Sequence, residues 1–210
     1  MEVLKGVHSI DHSEAKDHSL ETWILNCKEG VVLVDGGMPS HDVENIATEL
    51  KTMKKEWRDV KLILVTHKHG DHIKNLPKLK ELTDAPIKAH KLEAPLIEKA
   101  VEVKVEGLED KETIPYCGGL EVIWVPGHSE GNVCYYLKKH KTIIAGDTIF
   151  SDSQCNLTAP PEKYCLDVKQ ATKEIERLLD YDFDSLLYTH GEDIMSGAKQ
   201  KIKELVEKTR

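Results

Sequence analysis

Six consecutive residues, His67-Lys68-His69-Gly70-Asp71-His72, carry four side chains able to ligate a metal ion. Alternate residues of an extended chain point to the same side, so His67 and His69 can face a single ion. Gly70 permits a sharp turn, after which Asp71 and His72 can open a helix and present two more ligands nearby. A chain of this composition would show a His-x-His-x-Asp-His pattern by chance only about 0.002 times, so composition does not account for it. A lone histidine would read as a core or surface residue; four ligand-type residues within six positions read as a metal site.

Three later positions extend the set. His128 stands in Val125-Pro126-Gly127-His128-Ser129, Asp147 in Ala145-Gly146-Asp147-Thr148, and His190 in Thr189-His190-Gly191. Each follows a stretch that reads as a strand. The seven residues supply five imidazoles and two carboxylates, enough for two metal ions with open positions. Such donors, with no thiolate among them, suit zinc and also iron or manganese.

Ligands so far apart in sequence need rigid elements to bring them together. Val60–Thr66 is a nearly continuous apolar run, the pattern of a strand buried on both faces, and it feeds directly into His67. Strands are also expected at Thr22–Cys27, Val31–Asp35, Ile87–His90, Glu121–Val125, Val133–Leu137, Thr142–Ala145 and Ser185–Thr189. The pair around Lys138–Lys141 reads as a hairpin. From Ser40 to Trp57, residues Val43, Ile46, Ala47, Leu50, Met53 and Trp57 fall on one helical face. Further helices are expected at Leu76–Leu82, Lys91–Val101, from Val168 through Leu179 with Asp167 as N-cap, and from Met195 to Lys208. The order of elements predicts an α/β (α+β) fold, an αββα sandwich of two sheets with helices outside, as a single domain over residues 1–210.

Taken in order, Asp35, the cluster His67/His69/Asp71/His72, His128, Asp147 and His190 resemble the motifs of the metallo-β-lactamase superfamily of metallohydrolases, over essentially the whole chain. The resemblance implies one metal held by His67, His69 and His128, and a second by Asp71, His72 and His190, with Asp147 bridging. It implies that Asp35, in Leu33-Val34-Asp35-Gly36-Gly37, orients the cluster rather than ligating. The site would lie at one edge of the αββα sandwich. A hydroxide held between the two metals would be the nucleophile toward an acyl carbonyl. Asp71 would be the catalytic carboxylate that orients it and handles its proton.

Differences among the branches narrow the reading. β-Lactamases of the superfamily lack an aspartate at the place of Asp147, and flavodiiron proteins carry Glu in place of His69. Lactonases of the acyl-homoserine-lactone type place a tyrosine where this chain has Phe150. Ala145–Phe150 resembles the hydroxyacylglutathione hydrolases (glyoxalase II), which end in a further helical domain where this sequence stops one helix after His190. The resulting expectation is a dinuclear hydrolase of small acyl compounds, thioester or ester first and lactone second. A mononuclear iron persulfide dioxygenase is the reading from another class, but Ser151–Thr158 replaces the arginine- and cysteine-rich stretch associated with it.

Composition excludes more than it assigns. The 210 residues carry a formal charge of −8, and lysines outnumber arginines 26 to 3. An acidic chain poor in arginine is not built to grip a nucleic-acid backbone. No apolar run is long enough to cross a bilayer, and no apolar leader precedes the first strand-like stretch. The five cysteines (27, 117, 134, 155 and 165) form no CxxC, so no disulfide framework is expected and a reducing cytoplasm is the default. Cys27, Cys117 and Cys134 read as small buried hydrophobes; Cys155 and Cys165 fall in an irregular segment near the expected site entrance. His12 and His18 read as exposed loop residues near the site mouth, and His41, His90 and His140 as structural or surface residues. Met38, Tyr116, Phe150 and Tyr164 are pocket candidates by position only. The expected partner is a small-molecule substrate, with no nucleic acid or membrane.

Overall fold

In the computed structural model, which describes residues 1–12, 21–39, 41–151 and 156–210, the aliphatic runs form strands in two units, Met1–Leu108 and Glu109–Arg210. The first unit contains β1 (Glu2–Leu4), β2 (Val7–Asp11), β3 (Glu21–Cys27), β4 (Gly30–Val34), α1 (Asp42–Thr52), β5 (Val60–Leu64), α2 (Gly70–Ile73), α3 (Leu76–Thr83), β6 (Ile87–His90), α4 (Ala94–Val101) and β7 (Glu106–Leu108). Its sheet runs β1 to β7 in chain order, antiparallel as far as β4 and parallel from β4 to β7. Val31–Val34 and Leu62–Leu64 are buried throughout, as continuous apolar strands in a parallel region should be. Ile46 and Leu50 of α1, Leu76 and Leu79 of α3 and Ile97 of α4 complete this core.

Helix α1 is shorter than the Ser40–Trp57 periodicity suggests. Lys54 takes a left-handed φ of 58°, which ends the helix, and Trp57 opens a separate 3-10 turn, Trp57–Asp59. Ser40 lies outside the described residues. Helices α3 and α4 each have proline in their first positions and stop at a left-handed residue, Asp84 and Glu102 respectively.

The second unit contains β8 (Thr113–Ile114), β9 (Leu120–Trp124), β10 (Val133–Leu137), β11 (Thr142–Ile144), β12 (Phe150–Ser151), β13 (Leu157–Thr158), α5 (Val168–Glu174), β14 (Ser185–Leu187) and α6 (Ala198–Thr209). Its five-stranded sheet has the order β14-β11-β10-β9-β8, with β12 and β13 paired separately. β10 and β11 form the expected hairpin, while β14 lies parallel to β11. Asp167 caps α5 as expected, accepting from the Gln170 N–H at 2.9 Å. Gly127 cannot be replaced: its φ is 121°, and a Cβ there would stand 2.1 Å from the Ala171 nitrogen. The turn before His128 is thereby seated against the start of α5. Among the described residues, no helix is long and apolar enough to cross a membrane.

The cysteines depart from expectation. Cys27 is disulfide-bonded, and so is Cys117, which is only half-buried. Cysteine usage therefore does not point to a reducing compartment. Cys134 is a buried free thiol, pushed up to about 12 by desolvation. Cys165 is free and half-buried; Cys155 lies outside the described residues. Among the described cysteines, native-state alkylation should label Cys165, leave Cys134 unmodified, and reach Cys27 and Cys117 only after reduction. Peptide mass spectrometry checks this order; early labelling of Cys134 would contradict it.

His12 also differs from the exposed loop residue expected; His18 lies outside the described residues. The His12 side chain is only 1% exposed, with Nε2 at 2.9 Å from Thr22 Oγ1 and Nδ1 at 3.4 Å from Asp42 Oδ1. Desolvation lowers its pKa below the ordinary histidine value, outweighing the nearby carboxylates of Asp42 and Asp11. Folding therefore favours neutral His12: the stabilisation is complete above about pH 6.5 and is lost as pH falls from there toward the folded-state value. Replacing His12 by Gln should cost about 1–3 kcal/mol at pH 8. That difference should narrow on acidification through pH 6.5; thermal melts of both proteins across the range check it, and a constant gap would refute it.

Candidate metal centre

In the first unit the ligand cluster follows directly from β5. The strand ends at Leu64, Val65 and Thr66 are buried, and His67 and His69 follow before α2 opens at Gly70 with His69 as its N-cap residue. The rings of His67 and His69 stand edge to face with centroids 4.6 Å apart, and those of His67 and His72 lie 4.1 Å apart. One ligand atom each of His67 and His69 falls within 4.8 Å of the other, as does one each of Asp71 and His72. Short helix α2 thus delivers Asp71 and His72 as the sequence spacing predicts.

A buried carboxylate sets the orientation of these rings. Asp35, at the end of β4 with a left-handed φ of 65°, is 2% exposed. Its Oδ1 accepts from the Thr66 N–H at 2.8 Å. Its Oδ2 accepts from the Thr66 hydroxyl at 2.9 Å and from His72 Nδ1 at 2.8 Å. With its proton committed to Asp35, Thr66 Oγ1 can accept from His67 Nδ1, which lies 3.1 Å away. One carboxylate therefore fixes both imidazoles as Nδ1–H tautomers, directly for His72 and through Thr66 for His67, and leaves the lone pair of each ring on Nε2, the atom that could ligate a metal. The loop after Asp35 is tied down in turn. Gly36 N–H donates to the His72 carbonyl at 2.7 Å, and the buried Asn75 side chain donates to the carbonyls of Gly36 and Met38.

In the second unit, His128 follows β9, Asp147 follows β11 and His190 follows β14. A single oxygen, Asp147 Oδ2, lies 3.5 Å from His128 Nε2 and 3.4 Å from His190 Nε2. His128 is 2% exposed and Asp147 4%, while the His190 side chain is 15% exposed. Phe150 stacks on His190, ring centroids 5.0 Å apart and planes within 17°. Cys165 Sγ lies 3.8 Å from His128 Nδ1. Burial pushes the Cys165 thiol up, with Asp147, Asp167 and Glu162 adding to the shift. Three residues beyond His190, burial pushes the Asp193 carboxyl up to about 7, against a backbone hydrogen bond at Tyr188.

These donors fit metal ions. Two ligands each about 2.1 Å from a tetrahedral ion stand about 3.4 Å apart, wider than the roughly 2.7–3.2 Å of a direct hydrogen bond. The Asp147–His128 and Asp147–His190 separations have that spacing, as does His72 Nε2 to Asp71 Oδ2 at 3.6 Å. The described residues thus include His and Asp clusters that could bind metal ions.

A family model described as the metallo-beta-lactamase superfamily matches residues 22–191. The chain belongs to that superfamily. Among curated relatives of this metallo-β-lactamase superfamily protein, it is 29% identical over 189 residues to the probable metallo-hydrolase YybB of Bacillus subtilis, covering 84% of this chain and 82% of the relative. It is 34% identical over 143 residues to a hydroxyacylglutathione hydrolase of Rhizobium meliloti, covering 63% of this chain and 53% of that enzyme. Among solved structures, a metallo-beta-lactamase from Pontibacter korlensis superposes with a TM-score of 0.80 at 23% identity, covering 99% of this chain and 97% of the other. That likeness shows the α/β metallo-β-lactamase fold expected from the order of elements. This superfamily member is a metal-dependent hydrolase.

Several residues around the ligands were not legible as functional. Thr66, Asn75 and the Cys165 contact to His128 went unread, although Thr66 adjoins the motif and its hydroxyl was a signal available at the strand end. Phe150, a candidate by position only, touches His190. Tyr164 is 51% exposed, while Met38 and Tyr116 are half-buried.

Proposed function

We propose that this metallo-β-lactamase superfamily protein is a dinuclear hydrolase of small acyl compounds, thioesters before lactones, loaded with zinc. His67, His69 and His128 would hold one ion, Asp71, His72 and His190 the other, and Asp147 would be shared. The observation that carries the reading is the single Asp147 oxygen standing at ligand-edge distance from two imidazoles. When bound, two divalent cations would lower the pKa of a water they share toward neutrality and polarise an acyl carbonyl.

The chain's own residues do the rest. Asp35 and Thr66 hold His67 and His72 in the tautomer that presents Nε2. Asp71, whose side chain is 27% exposed, has one oxygen to ligate and another to take a proton from the attacking water and return it to the leaving group. Phe150 places an apolar, half-buried ring against His190, with no hydroxyl to lean on a lactone carbonyl. That difference, and the likeness to hydroxyacylglutathione hydrolases, supports a thioester first.

The test is hydrolysis of a panel of small acyl thioesters, esters and γ-lactones by zinc-loaded protein, with and without chelator. Thioester turnover abolished by chelator is expected. Asp71→Asn, which keeps a ligating oxygen but loses the base, should lower kcat about 10²–10⁴-fold with metal content unchanged. Lactone opening without thioester turnover would move the protein to the lactonases. One iron per chain with oxygen consumption and no hydrolysis would make it a dioxygenase.

A further inference from the structure

We propose that Cys165 is a positioning residue for His128: its sulfur accepts a hydrogen bond from His128 Nδ1–H and so turns Nε2 toward the ion. This rests on the reading of His128 as a metal ligand. Sγ lies 3.8 Å from Nδ1, and also 3.7 Å from the Pro160 carbonyl oxygen and 3.5 Å from that of Pro161. Carbonyl oxygens only accept, so the single thiol proton serves a prolyl carbonyl, and the sulfur lone pairs face the imidazole. The opposite ring nitrogen, Nε2, is the one at 3.5 Å from Asp147 Oδ2.

Backbone bonds hold this arrangement in register. Leu166 N–H donates to the His128 carbonyl at 3.1 Å and Asp167 N–H to that of Gly127 at 2.8 Å, which lays residues 165–167 along the turn carrying the ligand. On the other side, Cys165 N–H donates to the Glu162 carbonyl at 3.0 Å, closing the 3-10 turn Glu162–Tyr164. The plan repeats that of the first unit, where Asp35 serves His72 and Thr66 serves His67. A thiol takes the place of carboxylate and hydroxyl.

The experiment titrates metal-free protein with zinc against a chromophoric chelator, for wild type, Cys165→Ala, Cys165→Ser and His128→Ala. His128→Ala should lose one tight ion. Cys165→Ala should weaken binding of one ion about tenfold, and Cys165→Ser should recover to within about threefold of wild type. If His128→Ala binds zinc as wild type does, the ligand reading itself fails and the proposal with it. If His128→Ala loses the ion while Cys165→Ala stays within about twofold of wild type, the positioning role alone is overturned. A second measurement needs no variant: nitrogen–proton correlation spectra of metal-free wild type at pH 8. The Nδ1–H tautomer at His128 is expected, and the Nε2–H tautomer would overturn the proposal.

Discussion

Replacing Asp147 by alanine should reduce bound zinc from about two ions to fewer than one per chain and lower acyl hydrolysis by at least about 10³-fold. So large an effect is expected because one carboxylate oxygen stands at ligand-edge distance from two imidazoles. Asp147 Oδ2 is 3.5 Å from His128 Nε2 and 3.4 Å from His190 Nε2, and the residue is 4% exposed. In the proposed dinuclear centre, losing that oxygen would remove a donor from each ion and the negative charge that would offset two cations. Asp147→Asn keeps an oxygen of the same reach without the charge and should fall between wild type and alanine. Asp167→Ala is the control: loss of the α5 N-cap should cost about 1 kcal/mol of stability and leave zinc content unchanged. Elemental analysis and thioester turnover on the three variants decide the matter, and Asp147→Ala retaining a full metal load would exclude a shared carboxylate.

Asp35 should separate stability from ligand orientation. Asp35→Ala leaves the Thr66 N–H, the Thr66 hydroxyl and His72 Nδ1 without their carboxylate in a buried setting, at an expected cost of about 3–5 kcal/mol. Zinc affinity at His72 should fall about 10–100-fold as well. Asp35→Asn fills the same volume and keeps one acceptor for Thr66, so its stability cost should be only about 1–2 kcal/mol. Its amide, however, would offer His72 Nδ1 a donor and drive the ring toward the Nε2–H tautomer, which leaves no lone pair at Nε2 for a metal. Both variants should therefore lose zinc affinity, while only alanine loses most of the stability. Chemical denaturation of metal-free protein and zinc titration together check this, and an Asp35→Asn variant with wild-type affinity would refute the tautomer argument.

The His- and Asp-bearing ends of strands were readable because their signals are local. An apolar run ends, a His, Asp or Gly follows, and the alternation of side chains in β5 and the turn at Gly70 leave little freedom. Asp167 was readable for the same reason, since an N-cap acts on the next turn of the chain. Helix α1 was overread because the apolar period continues through Met53 and Trp57, while the break at Lys54 is a backbone conformation that lysine does not announce. The disulfide bonding of Cys27 and Cys117 was not readable, because sequence spacing says nothing of which thiols are brought together. His12 was misplaced because a histidine beside a polar turn gives no sign that Thr22 and Asp42 will enclose it. The contacts of Thr66 with His67 and of Cys165 with His128 were hidden because they depend on distances of a few ångströms that only the fold creates.

Metal stoichiometry tests the proposed dinuclear centre most directly. Wild type, His67→Ala and His190→Ala would be stripped, dialysed against zinc and analysed for metal per chain. About two ions in wild type and about one in each variant are expected if the ligand sets are distinct. A single ion in wild type, or an undiminished load in both variants, would contradict the dinuclear centre.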